Sequence, residues 1–429
     1  MTRQPTRRGL LAAGLTAATA GCGGVVPDAD DPPTETEWPT RGGDPAGSYH
    51  TTASGAPTDD PELLWRATAD EISPGQEPIV YGGRIYPAQD TPVRVETATG
   101  AVDRDGVSFR STPAVAVSDG YRNATVVGLR NTHASETLLG PEFLGAFVAV
   151  NADPVAGPRT RWRWRYPGPP GAVTPWDMDS PVAPVAAGDR VLFGGRFYVE
   201  NVTERRAFGG VVAVDTGSGR TLWRHRETDD GDPVPFGRPS VYDGRVYVGS
   251  LRGTVYGFEL AGGRRVWTHG LDDDVRSPAA VVGAPDAVVT VTPNALVGLD
   301  HADGTQLWRT PFEGRFDPAT RQAITVGDGS VYLPINPGGG NETALSAFDA
   351  ATGERQWRVV VARLSGTPVL ADGLLYYGDG GGVAAHAAAD GSRQFRTDVD
   401  GAAALGTPAI DDDALYVVGD GTVYALGGT

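Results

Sequence analysis

The chain has 429 residues, a formal net charge of −17 and no lysine, so every one of its 36 basic side chains is arginine. Charge of that sign repels nucleic acid, and a single cysteine excludes a disulfide framework, a cysteine zinc cluster and an iron–sulfur centre. With 60 glycines and 34 prolines, the composition favours many turns and short strands over long helices.

Residues 1–22 (MTRQPTRRGLLAAGLTAATAGC) start basic and continue as a short alanine-rich apolar run from Gly9 to Ala20, too short to span a bilayer, which predicts an export signal. Arg7 and Arg8 resemble the pair of a twin-arginine signal, the route for proteins exported already folded. Thr19-Ala20-Gly21-Cys22 resembles a lipobox, which implies lipid attachment at Cys22 after cleavage. Residues 23–37, rich in Pro, Asp and Thr, cannot bury enough surface to fold and are expected to be a disordered tether. The expected location is therefore the outer face of the cytoplasmic membrane. The sequons at Asn123, Asn201 and Asn341 are compatible with that side. Surplus carboxylate without lysine further suggests a halophilic source, where concentrated salt screens self-repulsion.

Residues 38–429 carry an internal repeat. GGVVAVDTGSGRTLWRHR (209–226), GTVYGFELAGGRRVWTHG (253–270), ALVGLDHADGTQLWRTPF (295–312) and ALSAFDAATGERQWRVVV (344–361) each show an alternating strand, a glycine turn and a strand carrying Trp. Trp223, Trp267, Trp308 and Trp357 lie 41 to 49 residues apart, the period of one four-stranded propeller blade. Weaker copies carry Trp164 upstream and Phe395 downstream, with one degenerate position near Asp103. The chain ends on an alternating strand, 421–429, whose Trp-bearing partner is found at the other end, around Trp65. Pairing the two closes the ring and removes two exposed sheet edges. The expectation is an all-β, eight-bladed β-propeller closed by its N-terminal and C-terminal strands. The series of Trp65, Trp164, Trp223, Trp267, Trp308, Trp357 and Phe395 is expected to dock blade on blade.

The strand starts Thr367-Pro368 and Thr407-Pro408, the strand GTVYAL, the turn ATG and the following Trp resemble the PQQ-like (pyrroloquinoline-quinone) repeat family. Glu37-Trp38-Pro39-Thr40-Arg41-Gly42-Gly43-Asp44 is similar to the lead-in before that family's first blade, so residues 38–60 read as a lead-in. The family includes quinoprotein alcohol and sugar dehydrogenases and the non-enzymatic lipoprotein subunit of the bacterial barrel-assembly machine. A quinoprotein needs calcium against the quinone and an Asp base. Trp176-Asp177-Met178-Asp179-Ser180-Pro181 resembles a stretch of membrane sugar dehydrogenases, but Val173 stands where that family has histidine, and its adjacent-cysteine disulfide is impossible here.

No zinc spacing joins the six histidines, and neither a nucleophile elbow nor a phosphate loop is present, so no catalytic residue and no metal site are expected. The runs Asp272–Asp274 and Asp411–Asp413 read as solvated loops. Arg110, Arg238, Arg276 and Arg363 each stand before a proposed inner strand and could gather at one channel mouth to bind an anionic group. The functional expectation is a non-enzymatic binding or scaffold module, monomeric and without cofactor, for an envelope protein or an anionic extracellular ligand. The alternative is a PQQ- and calcium-dependent alcohol or sugar dehydrogenase.

Overall fold

A computed structural model describes residues 31–68, 77–87, 93–104, 109, 111–133, 143–152, 160–164, 171–173, 183–201, 204–229, 232–271, 280–316, 323–338 and 342–428. Among them every regular element is a strand, and the strands form eight antiparallel sheets, the blades of a β-propeller. Numbered along the chain, the blades begin with the inner strands Ile79–Tyr81, Ala114–Ala116, Val185–Ala187, Ser240–Tyr242, Val281–Gly283, Thr325–Gly327, Ser365–Ala371 and Ala409–Ile410. Each then proceeds outward strand by strand.

Blade 8 closes the ring. Its inner strand is followed by Leu415–Gly419 and Thr422–Gly427, and its outermost strand is Glu62–Thr68 from the other end of the chain. Trp65 faces Ala425 and Arg66 faces Tyr424, as the repeat arithmetic requires.

Local chemistry explains the hairpins. Asp243-Gly244, Asp328-Gly329, Asp372-Gly373 and Asp420-Gly421 all adopt positive φ at both residues, the conformation that two-residue hairpins demand and that Asp-Gly supplies. The core lies between blades. Val185, Leu192 and Val211 of blade 3 share one buried cluster with Phe236, Val246 and Val248 around blade 4. The remaining clusters likewise pair apolar faces of neighbouring sheets.

The outer strands contain a feature absent from the sequence expectation, a β-bulge just before the tryptophan. In Glu62–Thr68 the pairing skips Leu64, in Gln306–Pro311 it skips Leu307, and in Arg355–Val361 it skips Gln356. The extra residue turns outward, which is why Leu64 and Leu307 are about half exposed. The ring that follows points into the next blade, and its indole N–H reaches a carbonyl there. Trp65 donates to Thr97 O at 2.8 Å, Trp223 to Leu260 O at 2.8 Å, Trp267 to His301 O at 3.0 Å, Trp308 to Ala350 O at 3.2 Å and Trp357 to Ala388 O at 2.8 Å. In blade 2 this place belongs to Trp162, bonded to Thr216 O at 2.8 Å. Trp164, the residue singled out by the repeat, instead donates to Thr221 Oγ1 and packs edge-on against Phe193 and Phe197 of blade 3. Phe395 is buried at the corresponding place in blade 7, without an N–H to donate.

Candidate functional site

The lead-in does more than precede the first blade. It folds as a loop in the central channel and bonds to the inner strands of seven of the eight blades. Trp38 makes an antiparallel bridge to Val80 of blade 1, and Pro39 O accepts from Val115 N of blade 2. Thr40 Oγ1 donates to Pro184 O at the start of blade 3. Pro45 O, Ser48 O and Tyr49 O then accept from Val241 of blade 4, Val326 of blade 6 and Leu370 of blade 7, and Gly55 N donates to Asp411 O of blade 8. His50–Thr51 adds a parallel strand to the inner edge of blade 7.

Two tight turns let the loop reverse inside so narrow a space, Thr40–Gly43 and Asp44–Gly47, each closed by a backbone hydrogen bond. Glycine is required at both. Gly42 has φ +79° and a Cβ there would lie 2.7 Å from Gly47 Cα, while a Cβ on Gly47 (φ +72°) would lie 2.4 Å from Arg238 Nη1. Asp44 stabilises its own turn by accepting from Gly47 N, Ser48 N and Ser48 Oγ.

At the floor of the loop sits a buried polar cluster. Glu77 Oε1 accepts from Trp38 Nε1 at 2.9 Å and Gly42 N at 2.6 Å, and its Oε2 accepts from Tyr49 OH at 3.0 Å. Arg41 Nε lies 3.7 Å from Oε2 and donates to Tyr49 OH at 3.1 Å. Arg238 spends its guanidinium on backbone carbonyls, giving Nη2 to Arg41 O at 2.8 Å and Asp44 O at 3.2 Å, and Nη1 to Pro239 O at 3.1 Å. Burial pushes the Glu77 carboxyl above the ordinary carboxylate range in spite of Arg41, raises the Tyr49 phenol to about 12 and lowers the Arg238 guanidinium.

Glu77 and Arg238 occupy the same repeat position, immediately before the proline that opens an inner strand. In blades 2, 7 and 8 that position is Thr112, Thr367 and Thr407, whose hydroxyls join neighbouring blades. Thr407 Oγ1 accepts from Thr367 N at 2.8 Å, and Thr367 Oγ1 accepts from Ala323 N at 3.0 Å. Two charged exceptions in a ring of small residues were the available sequence signal for this cluster.

The other expected sites fall as follows. Arg363 is exposed beside Gly380, whereas Arg238 is buried under the loop, so these two do not share one surroundings. Arg110 and Arg276 lie outside the described residues, as do Cys22, Arg7, Arg8, Asn341, residues 272–274 and 176–181. Asn123 sits in the turn before the strand Thr125–His133, and Asn201 ends the strand Arg190–Asn201. Asp411 is not a solvated loop residue. It is 8% exposed, and its carboxylate accepts from Asp413 N and Ala414 N to hold the first hairpin of blade 8. His301 bridges blades 4 and 5, pairing with Tyr247 OH at 2.8 Å and Ala284 O at 2.7 Å. His225 pairs with Glu227 among Phe236, Tyr256 and Phe258. Among the described residues no three His, Cys, Asp or Glu side chains are grouped as a metal site would need.

A closed eight-bladed ring with a self-filled axis defines the class of molecule. The family model described as outer membrane protein assembly factor BamB matches residues 251–359 and 340–429. A polyvinylalcohol dehydrogenase of Pseudomonas sp is 24% identical over 71% of this chain and 48% of its own length. The outer membrane protein assembly factor BamB of Burkholderia pseudomallei is 27% identical over 52% of this chain and 60% of its own. The chain thus spans about half the length of the curated relatives it matches. Among solved structures, the quinohemoprotein alcohol dehydrogenase from Comamonas testosteroni superposes with a TM-score of 0.64 at 15% identity, covering 91% of this chain and 80% of that one, which shows a shared fold. The chain is an eight-bladed β-propeller, similar to BamB over its C-terminal residues 251–429 and, in fold, to a quinohemoprotein alcohol dehydrogenase.

Proposed function

We propose that this propeller is a non-enzymatic binding or scaffold module, exported through its twin-arginine signal and held by lipid on Cys22 at the outer face of the cytoplasmic membrane. The observation that carries the reading is the occupied axis. Residues 38–56 occupy the channel, and their polar groups meet the buried side chains of Glu77 and Arg238. The carboxylates nearest the axis do not fit a calcium–quinone pair. Glu77 has both oxygens engaged by Trp38, Gly42 and Tyr49, and Asp44 has both engaged by its own turn. A flat cofactor on the axis would have to displace the loop, taking from buried Glu77 the bonds of Trp38, Gly42 and Tyr49 and from Arg238 those to Arg41 O and Asp44 O, which costs several kcal/mol. Recognition therefore falls to the loops around the disc, which a rigid sheet scaffold holds in place.

The quinoprotein reading is supported by the 331-residue match to a polyvinylalcohol dehydrogenase and by the fold shared with a quinohemoprotein alcohol dehydrogenase. Two measurements separate the readings. Incubation with PQQ and calcium should give no dye-linked oxidation of alcohols, polyvinyl alcohol or aldoses, and turnover that depends on both additions would overturn the binding reading. Chemical cross-linking on intact cells should trap one envelope partner at fixed stoichiometry; a chain that remains uncross-linked and monomeric counts against a scaffold.

A further inference from the structure

Both legs of the channel loop leave by the same end, and that end determines how a tether upstream of the loop presents the disc. The incoming leg runs antiparallel to the inner strand of blade 1 at Trp38, and the outgoing leg runs parallel to the inner strand of blade 7 at His50–Thr51. Inner strands of a propeller all point the same way along the axis. The chain therefore enters and leaves past the end where inner strands turn back into second strands. Contacts at three such turns agree. Glu37 accepts from Gly82 N at 2.8 Å in blade 1, Asp412 accepts from Ser54 N at 3.1 Å in blade 8, and His50 lies 3.6 Å from Asp328 in blade 6. Asp31, the first described residue, is still on this face, its carbonyl accepting from Tyr81 OH at 2.7 Å.

The two faces of the disc are unlike. On the loop's exit face the first-to-second-strand connections are two residues long in blades 1, 3, 4, 6 and 7, four in blades 5 and 8 and eight in blade 2. On the other face each blade's outer strand ends and the next blade's inner strand begins; of these blade-to-blade connections, 399–408 is described throughout and is ten residues long. The hairpin Arg190–Asn201 and Glu204–Asp215, twelve residues per strand, also turns on that side. Nine peptide steps separate Cys22 from Asp31, a reach of at most about 30 Å when fully extended.

We infer that the face of short turns is held toward the lipid surface and that the long loops and the blade 3 hairpin look away from it, toward the partner. This orientation rests on the reading of Cys22 as the lipid attachment site. The arrangement also fits the charge. The first-to-second-strand turns carry Asp243, Asp286, Asp328 and Asp372, beside Asp189 paired with Arg190, so acidic side chains on the tethered face disfavour adsorption onto anionic headgroups, and the leash sets a stand-off.

The experiment uses the full lipidated chain. With Cys22 alkylated by lipid no other thiol exists, so Asp286→Cys and Asn294→Cys each place a single dye on blade 5. Both positions are exposed, one at each end of the strand Val288–Val291, roughly 15–20 Å apart along the axis. In phosphatidylcholine vesicles bearing a headgroup-linked acceptor, energy transfer from the Asp286→Cys dye should exceed that from the Asn294→Cys dye. Equal or reversed transfer, in protein that floats with the vesicles, overturns the orientation and leaves the anchor standing. Failure of the unaltered chain to float, or undiminished flotation of Cys22→Ser, overturns the anchor and the orientation with it.

Discussion

Glu77 shows how one residue type at one repeat position changes what a ring can hold. Its neighbours in the ring are small and close blade on blade, whereas Glu77 accepts three hydrogen bonds from the lead-in and one contact from Arg41. Burial raises its folded pKa above the reference 4.5. A carboxyl with a raised folded pKa contributes stability that is fully present below its unfolded value and lost as pH rises through the folded value. Glu77→Gln cannot ionise, so the melting temperature of the variant relative to the unaltered protein should climb as pH rises from 4.5 and then level off. The total climb is about 1.4 kcal/mol for each unit separating the two values. A difference that stays flat or falls with pH would contradict the assignment. A glutamate before a proline in a glycine-rich acidic chain looks the same whether solvated or enclosed; only its place among the small residues of the other blades marks Glu77 out.

At the scale of elements, the blades were legible and the loop was not, for one physical reason. A strand that must bury alternate side chains announces itself by period, and eight such sets with Asp-Gly punctuation leave few alternatives. The lead-in has no period. Its order comes from backbone carbonyls and amides meeting partners in the blades 42 to 356 residues away, which local pattern does not encode. The outer-strand bulge was invisible for a related reason. It changes register without changing composition, and it is why the repeat singles out Trp164 although the pairing Trp162–Ala149 gives the docking place to Trp162. Two substitutions probe these elements. Trp308→Ala should cost about 3–5 kcal/mol in urea unfolding, since a nearly buried ring and its bond to blade 6 are lost together. Gly47→Ala forces a Cβ against Arg238 at positive φ and should cost about 1–3 kcal/mol, with new protease cleavage confined to residues 38–56. Cleavage elsewhere, or no loss, would mean the loop does not depend on that glycine.

For the whole molecule, the seam in blade 8 joins the two ends of the described ring without a chain link, through strand pairing and the packing of Trp65 and Ala67. Thr68 and Thr422 face one another across it with hydroxyls 3.2 Å apart. Thr68→Cys with Thr422→Cys should therefore oxidise without strain and raise unfolding stability by about 2–4 kcal/mol, a gain abolished by reductant. Failure to form the bond would place the two ends of the chain further apart than the pairing states. The channel loop has a bearing on the molecule's birth as well. Its binding partners range from Val80 to Asp411, so a polypeptide still emerging from the ribosome has nowhere to lodge its first segment until almost its last residues are made. Maturation is consequently all-or-nothing and long-range, with slow kinetics to match. Such a protein would gain from crossing a membrane only after it has finished folding, the route that the export signal proposed at Arg7 and Arg8 would provide.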